Sequence, residues 1–351
     1  MCKITTGNKN TQDKDENGLY PFYVRSQNIE RINSWTFDGE AILTAGDGVG
    51  VGKVFHYSIG KIGVHQRVYI LSNFKCDGKY LYQYFSSRFY NRVKRMSAKN
   101  SVDSVRMEMI ADMPLYLPSV GEQHKIGKLL ALLDERISTQ NKIIEKLQSL
   151  IRGIVTKICS GAFVKGKYVF LRDILIERHI KNIENYEVYS VSVSQGIINQ
   201  IDYLGRSFAS KETLHYNVVN YGDIVYTKSP TGDFPYGIVK RSHIQKPIAV
   251  SPLYGVYQPK NDYIGKYLHL YFKSPINTKN YLHRLIQKGA KNTINITNSH
   301  FLDNNVFIPE KPELINIVNL TSAIEDKLVL ASRMLDSLKS QKGYLLSKMF
   351  I

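Results

Sequence analysis

Two short loops carry residue types that suit the reading of nucleic acid. The sequence is Ser-Ala-Lys-Asn-Ser at 97–101 and Gly-Ala-Lys-Asn-Thr at 289–293, so that Ala-Lys-Asn occurs twice. A lysine neutralises phosphate, an asparagine amide can form two hydrogen bonds to the edge of adenine, and a Ser or Thr hydroxyl can bind phosphate or base. We therefore predict that both loops lie near DNA, through Lys99, Asn100, Ser101, Lys291, Asn292 and Thr293.

Basic residues flank both loops. Arg92 and Arg95 lie near the end of a predicted helix at 79–96, Lys288 comes just before the second loop, and Lys53 ends a glycine-rich stretch. We predict that these four cations contact phosphates. The alternative is that each loop is an asparagine turn that ends a solvated helix face. For any single residue that alternative is the commoner outcome, but the occurrence of Ala-Lys-Asn in both halves favours DNA binding for the pair.

The glycine-rich stretch Gly-Asp-Gly-Val-Gly-Val-Gly-Lys at 46–53 does not match a nucleotide-binding motif. The phosphate-loop pattern requires glycine at position 47 and a hydroxyl at 54, where the chain has Asp47 and Val54. A dinucleotide-binding fingerprint fails as well, because Lys53 stands where the third glycine would be. We predict a tight hairpin loop whose glycine amides can approach a DNA backbone.

No set of residues predicts catalysis. Amino-group methyltransferases carry Asn/Asp-Pro-Pro-aromatic beside a glycine-rich cofactor loop, and the stretch Ser-Pro-Thr-Gly-Asp-Phe-Pro-Tyr-Gly at 229–237 contains no such tetrapeptide. The histidines show no metal-binding spacing, and no pair of carboxylates stands in a recognisable catalytic frame. We therefore predict no catalytic residue and no metal site, and we expect that the chain makes no chemical bond itself.

Two long helices, repeated at a shift of 191 residues, are predicted to follow the segments that carry these loops. Glu122–Ile158 and Glu313–Met349 align without a gap. Apolar residues recur every three or four positions in both, which predicts a narrow stripe and a coiled-coil seam. The predicted stripe includes Leu129 in the first helix and Leu320 in the second. Two amphipathic helices of ordinary bundles are the alternative.

The segments before the two helices also correspond. Gly-Glu-Ala-Ile-Leu at 39–43 matches Gly-Asp-Ile-Val-Tyr at 222–226, and both predict strands. The helical stretch Gly-Lys-Tyr-Leu-Tyr-Gln-Tyr-Phe at 78–85 matches Gly-Lys-Tyr-Leu-His-Leu-Tyr-Phe at 265–272. The chain is therefore predicted to hold two tandem copies of a globular unit plus a long helix, with a junction at 159–166.

Composition narrows the class of protein. The 351 residues carry a net charge of +17, which indicates a polyanionic partner such as nucleic acid, although a basic proteome from an AT-rich genome would give the same balance. The three cysteines are far apart, so neither a disulfide frame nor a zinc site is expected. No run of eighteen apolar residues occurs and the N-terminus is no secretory signal, which predicts a cytoplasmic protein with no membrane partner.

This organisation resembles that of the DNA specificity subunit of type I restriction–modification systems. Two globular units are each followed by a long helix, and Pro118, Glu122, Gln123, Lys125 and Ile126 form the helix-start pattern Pro-x3-Glu-Gln-x-Lys-Ile. The resemblance covers essentially the whole chain. It implies an α+β fold in which two target recognition domains, small β-sheets with helices, are separated by two long antiparallel coiled-coil helices. The implied boundaries are 1–118, 119–159, 160–309 and 310–351.

The resemblance also implies a role and partners. Such a subunit is non-catalytic, and each domain reads one half of a bipartite, asymmetric duplex DNA site. Two methyltransferase subunits are expected to dock on the helix region, and nuclease–translocase subunits can join them. Glu122, Gln123, Lys125 and Ile126 are then the expected partner-binding residues. No cofactor is expected in this chain, because S-adenosylmethionine belongs to the methyltransferase and ATP with magnesium to the nuclease partner.

Two features depart from the pattern. The second helix start, Glu-Leu-Ile-Asn-Ile at 313–317, lacks the Gln and Lys of the first. Nothing before Cys2 matches the stretch Lys-Tyr-Val-Phe-Leu-Arg-Asp-Ile at 167–174, so either a strand is absent or the true start lies upstream. Two other functions stay open: a self-contained restriction or methylation enzyme, and a basic coiled-coil scaffold that binds DNA without regard to sequence.

Overall fold

The structure, a computed structural model, describes residues 1–350 except for 49, 97–103, 160, 162, 205–211 and 289–293. The chain divides into two units. Unit 1 consists of Met1–Lys142 and Ala331–Ile351, and unit 2 consists of Ile143–Leu330. Each unit therefore contains one globular part and a piece of both long helices.

Unit 1 is built on a six-stranded sheet in the order β1-β6-β4-β5-β2-β3. Neighbouring strands are antiparallel except for β2 and β5, which are parallel. The predicted strand–glycine loop–strand hairpin is confirmed, because β4 and β5 pair from Phe37 opposite Ile62 to Thr44 opposite Phe55. The strands are β1 (Lys3–Thr6), β2 (Tyr20–Tyr23), β3 (Ile29–Ile32), β4 (Phe37–Ala45), β5 (Phe55–Val64) and β6 (Val68–Ser72).

Helices α1 (Gly78–Met96) and α2 (Met107–Ala111) contribute to the core of unit 1. Apolar side chains recur at helical spacing along α1, so one of its sides is buried; these residues are Tyr80, Leu81, Tyr84, Phe85, Phe89 and Val93. Phe85 and Phe89 pack edge-on against Phe55 of the sheet. The predicted helix at 79–96 is confirmed, and its charged residues are left on the outer side.

Unit 2 contains a four-stranded sheet in the order β13-β12-β15-β8 and four two-stranded pairs. The pairs are β9 with β10, β11 with β14, β16 with β17, and β7 with β18. The strands are β7 (Gly166–Phe170), β8 (Leu175–Glu177), β9 (Tyr189–Ser192), β10 (Gly196–Asn199), β11 (Asn217–Val219), β12 (Ile224–Thr227), β13 (Ile238–Arg241), β14 (Ile248–Val250), β15 (Gly255–Pro259), β16 (Gln287–Lys288), β17 (Ile294–Asn295) and β18 (Asn305–Pro309).

The helices of unit 2 are α4 (Gln200–Leu204), α5 (Asp262–Lys273) and α6 (Pro275–His283). Helix α5 begins at Asn261, whose side chain accepts a hydrogen bond from the backbone N–H of Ile264. The stretch that corresponds to α1 thus forms two helices in unit 2. Ser274 ends α5 and caps α6, and Pro275 suits the first turn of α6.

The two globular parts share one strand arrangement. In unit 1, β4 lies between β5 and β6, and β1 pairs with the other side of β6. In unit 2, β12 lies between β13 and β15, and β8 pairs with the other side of β15. The matched stretches 39–43 and 222–226 thus fall in β4 and at the start of β12. The predicted tandem repeat is therefore confirmed.

The two long helices are α3 (Val120–Cys159) and α7 (Lys311–Met349). Within unit 1 they run antiparallel, since Asp134 pairs with Lys342 at 2.5 Å whereas the later residue Gln140 donates from Nε2 to the earlier carbonyl of Ala331 at 3.0 Å. Within unit 2 they share an apolar cluster that includes Ile151 of α3 and Ile324 of α7. No helix in the described part of the chain is both long and apolar enough to cross a bilayer.

The predicted apolar stripe is wrong at one repeated position. Leu129 is 42% exposed and Leu320, its counterpart at the shift of 191, is 54% exposed. In α3 the buried residue is Leu130, which packs with Tyr80 and Tyr84 of α1 and with Phe350 at the end of α7. The helix contacts a globular part as well as its partner helix, and this second contact turns the buried face away from Leu129.

Candidate nucleic-acid interface

The end of α1 carries a cluster of arginines. Arg88, Arg92 and Arg95 are four and three residues apart, which places them on one side of the helix. With Tyr84, Asn91, Met96, Met113, Pro114 and Tyr116 they line a cavity of about 630 Å³. No carboxylate is among the described residues of this lining, so the concave surface is positive and suits an anion such as phosphate. Sequence reasoning missed Arg88, although its spacing from Arg92 could have indicated it.

The two predicted phosphate contacts on α1 differ in how much the fold uses them. Arg92 donates from Nε to the carbonyl of Met109 at 2.9 Å and from Nη2 to that of Asp112 at 2.8 Å, so it holds the end of α2. Arg95 is exposed, and its Nε makes a long 3.4 Å hydrogen bond to the carbonyl of Asn91. Arg95 is therefore the more available of the two for a phosphate.

The glycine loop between β4 and β5 lies beside α1. Lys53 places its Nζ 5.2 Å from the centre of the Tyr90 ring. Gly52 has φ of +66°, and a Cβ there would stand 3.1 Å from Tyr90 Cδ2, so both the backbone conformation and the close approach favour glycine. The structure thus brings Lys53, Arg92 and Arg95 to the same end of α1.

The glycine loop also anchors the chain that returns from the first Ala-Lys-Asn loop. The N–H of Val105 donates to the carbonyl of Gly46 at 2.7 Å, and Ser104 forms an isolated β-bridge with Asp47. The predicted DNA contacts Lys99, Asn100 and Ser101 lie outside the described residues. Their two flanks are nevertheless fixed, one at the basic end of α1 and one at the glycine loop.

Asp47 holds the glycine loop in place. Its carboxylate accepts hydrogen bonds from Arg25 and Arg67, each at 2.7 Å. Burial raises the pKa of Asp47, but the two guanidinium hydrogen bonds outweigh burial and leave the pKa below its ordinary value. The carboxylate is therefore ionised at neutral pH and ties the loop to residues that follow β2 and precede β6.

In unit 2, the second Ala-Lys-Asn loop connects two short strands. Strand β16 pairs antiparallel with β17, with Lys288 opposite Ile294. Lys288 is therefore the last residue of β16, directly before the second Ala-Lys-Asn loop. Residues Lys291, Asn292 and Thr293 lie outside the described residues. The loop thus joins a hairpin in unit 2, whereas its counterpart in unit 1 follows the helix directly.

Unit 2 repeats the cavity of unit 1 with different side chains. A cavity of about 330 Å³ is lined by Tyr271 and Phe307, which are the repeat counterparts of Tyr84 and Tyr116. Its polar lining includes one arginine, Arg284, and four asparagines: Asn277, Asn280, Asn304 and Asn305. Amides donate and accept hydrogen bonds, whereas the guanidinium groups of unit 1 only donate. The two cavities therefore present different recognition chemistry on one framework.

Glu122 and Gln123, two of the predicted partner-binding residues at the start of α3, make hydrogen bonds within unit 1. Glu122 accepts hydrogen bonds from the N–H and the hydroxyl of Ser119, at 3.0 and 2.7 Å, and these bonds lower the pKa of Glu122. Gln123 is 3% exposed; it donates to the carbonyl of Pro118 at 2.8 Å and accepts from the N–H of Asp77 at 3.1 Å. Lys125 is exposed.

Close packing accompanies this helix start. Ile126 is half-buried against Leu130 and the tyrosines of α1. A Cβ on Gly127 would stand 2.7 Å from the N of Tyr80 and 2.8 Å from Asp77 Oδ1, so α3 meets the start of α1 at a position that admits only glycine without displacement. Of the four predicted partner contacts, Lys125 is thus the side chain that the fold leaves most available.

The second helix start uses apolar packing in place of these hydrogen bonds. Leu314 of α7, the counterpart of Gln123, is buried in the main core of unit 2 with Val318. This explains how α7 begins without the Gln and Lys of the first helix. The Oε2 atom of Glu313 is buried and makes no hydrogen bond to another described residue.

A repeated acidic residue connects each long helix to its globular part. In unit 1, Asp134 accepts from Gln83 of α1 at 2.6 Å as well as from Lys342. In unit 2 its counterpart Glu325 pairs with Lys273 of α5 at 2.8 Å. The shared acidic position thus fixes a helix of each globular part to the long helix that follows it.

The described residues contain no group of three His, Cys, Asp or Glu arranged to hold a metal ion.

Comparison with known proteins gives a match in sequence. The family of type I restriction modification DNA specificity domains matches residues 1–149. The type I restriction enzyme EcoDI specificity subunit of Escherichia coli is 26% identical over 169 residues. That alignment takes in 47% of this chain and 37% of the relative, so the chain spans just over a third of the relative's length.

Comparison with solved structures gives a match in fold. The S subunit of a type I restriction–modification system from M. genitalium superposes with a TM-score of 0.70 at 15% identity, over 100% of this chain and 94% of that protein. At this identity the likeness concerns the fold. The fold predicted from the sequence, two tandem α+β domains with two long antiparallel helices, is therefore confirmed.

Proposed function

We propose that this chain belongs to the family of type I restriction modification DNA specificity domains, which its residues 1–149 match, and that it selects the DNA sequence on which a type I complex acts. Each globular part reads one half of a bipartite, asymmetric site in duplex DNA. The chain itself is non-catalytic. It positions adenine methyltransferase subunits, which bind S-adenosylmethionine, and nuclease subunits, which bind ATP and magnesium.

The repetition of one framework with different side chains is the observation that carries this proposal. The strand arrangement, the helix after it and the cavity beside that helix occur in both units. The linings differ, because the cavity of unit 1 has three arginines and the cavity of unit 2 has four asparagines and one arginine. A protein that reads two unlike half-sites needs this combination, because phosphate contacts can be shared whereas base contacts must differ.

The predicted contacts divide into two classes on this framework. Lys53, Arg92 and Arg95 surround the end of α1 and approach phosphates, as Lys288 does in unit 2. The Ala-Lys-Asn loops supply the base contacts, through Asn100 in one half-site and Asn292 in the other. Half-sites on one face of B-DNA are separated by about one helical turn or somewhat more, a turn being roughly 34 Å.

Exposed apolar residues at repeated positions support two equivalent docking sites for methyltransferase subunits. Leu129 and Leu320 are related by the shift of 191 residues, as are Ile143 and Met334. All four are at least 41% exposed. Single exposed apolar residues are common, but exposure at the same place in both copies indicates a surface used twice. Lys125 lies near the first of these positions and completes the contact.

Two variants test the assignment of the second loop. The chain is co-expressed with a type I methyltransferase subunit from the same genome, and methylated adenines are mapped. Asn292→Ala should relax the sequence preference in one half of the motif and leave the other half unchanged. Lys288→Ala should lower methylation at all sites alike, because a phosphate contact carries no sequence information. Equal losses at every site from both variants would refute the base-reading role of Asn292.

A further inference from the structure

The segment Met113–Ser119 in unit 1 has the place that strand β18 has in unit 2. Tyr116 corresponds to Phe307 at the shift of 191 residues. The hydroxyl of Tyr80 donates to the carbonyl of Tyr116 at 2.9 Å, and the matching hydroxyl of Tyr267 donates to the carbonyl of Phe307 at 2.8 Å. The two segments are therefore held to their helices, α1 and α5, by the same hydrogen bond.

Among the residues that the structure describes, a strand lies on the other side of the segment in unit 2 but not of the segment in unit 1. In unit 2, β18 pairs antiparallel with β7, with Val306 opposite Val169 and Ile308 opposite Lys167. The counterparts of Val306 and Ile308 in unit 1 are Leu115 and Leu117. Neither leucine makes a backbone hydrogen bond to another residue in the described ranges.

The backbone pattern of this segment leaves one edge available for pairing. Tyr84 and Tyr80 donate to the carbonyls of Pro114 and Tyr116, so these alternate residues face α1. Leu115 and Leu117 then face the opposite edge, because successive residues of an extended chain present their backbone groups to opposite sides. Pro114 and Pro118, which lack a backbone N–H, belong to the residues that face α1. The edge of Leu115 and Leu117 therefore loses no hydrogen-bond donor to proline.

A cavity lined mainly by apolar side chains lies next to this edge. It measures about 220 Å³ and its lining includes Leu81, Phe85 and Leu115. The repeat counterparts of these three residues are Leu268, Phe272 and Val306, which belong to the core cluster against which Val169 of β7 packs. The space beside Leu115 in unit 1 therefore matches the place that a β7 side chain fills in unit 2.

We propose that Leu115–Leu117 is an acceptor edge for an antiparallel β-strand of another polypeptide. The strand that fits has the chemistry of Gly166–Phe170: an extended segment with a valine-sized residue opposite Leu115 and an aromatic residue opposite Tyr116. The apolar residue would enter the cavity, and the aromatic ring would pack on Tyr116 as Tyr168 packs edge-on against Phe307 at 5.7 Å. The result would be a two-stranded antiparallel pair like that of β18 with β7, formed by addition of a strand from another polypeptide.

The end of α7 gives a route for a tethered test of this edge. Phe350 is the counterpart of Cys159, after which the chain leads to β7. Phe350 packs 5.4 Å from the ring of Tyr80, and Cys159 Sγ lies 3.9 Å from the hydroxyl of Tyr267, so the two helix ends meet equivalent tyrosines. A copy of residues 161–172 appended after Ile351 therefore starts at the right place, and the tether raises its effective concentration to the millimolar range.

Hydrogen exchange at Leu115 and Leu117 is the readout in the full-length chain. With the appended copy, both amides should exchange at least tenfold more slowly, and the Val306 amide, already paired, should not change. A control copy that carries Asp at the position of Val169 should give no protection, because a charge cannot enter the apolar cavity. Unchanged exchange at Leu115 and Leu117 with the unaltered copy would overturn the proposal.

The free peptide tests binding from another molecule. A synthetic peptide of residues 165–172 should protect the same two amides in a concentration-dependent and saturable way. Protection by the tethered copy without any by the peptide, up to its solubility limit, would overturn binding in trans. Neither experiment involves DNA, so both outcomes are independent of the proposed function.

Discussion

Replacement of Gln123 by leucine separates a role in the fold from a role in partner binding. Gln123 belongs to the motif on which the partner contact was predicted, yet its side chain is buried and bonded to Pro118 and Asp77. Gln123→Leu reproduces the residue found at the same position of α7, Leu314, which is buried against apolar neighbours. The variant has a side chain of similar size and removes both hydrogen bonds.

The expected loss follows from those two hydrogen bonds. At roughly 1 kcal/mol each, their removal lowers the free energy of unfolding of unit 1 by about 2 kcal/mol. For a unit of this size that corresponds to a fall in Tm of roughly 4–8 °C. Differential scanning calorimetry measures the shift, and the unit 2 transition should not move.

Lys125→Ala is the matched control. Lys125 is exposed two positions further along the same helix start, so its replacement should change stability by less than about 0.5 kcal/mol. It should instead weaken binding of a methyltransferase subunit. An unchanged Tm for Gln123→Leu together with a loss of subunit binding would refute the reasoning and make Gln123 a direct partner contact.

Three further predictions concern packing, pH and charge. Gly127→Ala should destabilise unit 1 by about 1–3 kcal/mol, because the new Cβ would overlap the backbone of Tyr80. Gly153→Ala has no atom within 4 Å of its Cβ position and should stabilise its unit by about 0.5–1 kcal/mol. Urea unfolding measures both changes, and equal effects would contradict the packing argument. Burial holds the pKa of His269 well below its ordinary 6.5, and the neighbouring groups His243, Lys273, Lys240 and Arg241 lower it further. The neutral ring therefore contributes stability that is fully present above pH 6.5 and is lost as pH falls below it. His269→Gln should therefore flatten the fall in unit 2 stability between pH 7 and 5, and an unchanged slope would show that His269 does not carry it. Arg95→Ala should lower the magnitude of the slope of log affinity for DNA against log salt by about 0.9, without a change in Tm. Arg92→Ala should lower both the slope and Tm, because Arg92 also holds α2. Identical Tm values for the two variants would contradict the separate roles of Arg92 and Arg95.

The fold was largely predictable because its strongest signals are local or repeated. The apolar spacing of α1 and of both long helices, and the alternation around the glycine loop, specify elements that the structure contains. The error at Leu129 and Leu320 has a tertiary cause. A heptad pattern shows which residues are apolar, but the side of the helix that a globular part covers depends on contacts between residues distant in sequence.

The candidate site was predictable to a smaller extent. The basic end of α1 and its nearness to Lys53 agree with the residues singled out from the sequence. The roles of Glu122 and Gln123 were not predictable, because a Glu three residues after a Ser can cap a helix or bind a partner, and only the position of Asp77 shows where the glutamine amide is used. Residues 99–101 and 291–293 lie outside the described residues, so their contacts stay predictions.

The most direct test of the central claim is a map of adenine methylation. The chain is co-expressed with a type I methyltransferase subunit from the same genome, and methylated adenines are located by single-molecule sequencing. We predict a split motif with two unlike halves and a fixed gap, because two globular parts with different linings stand on one framework. A continuous motif, or adenine methylation without regard to sequence, would contradict the account.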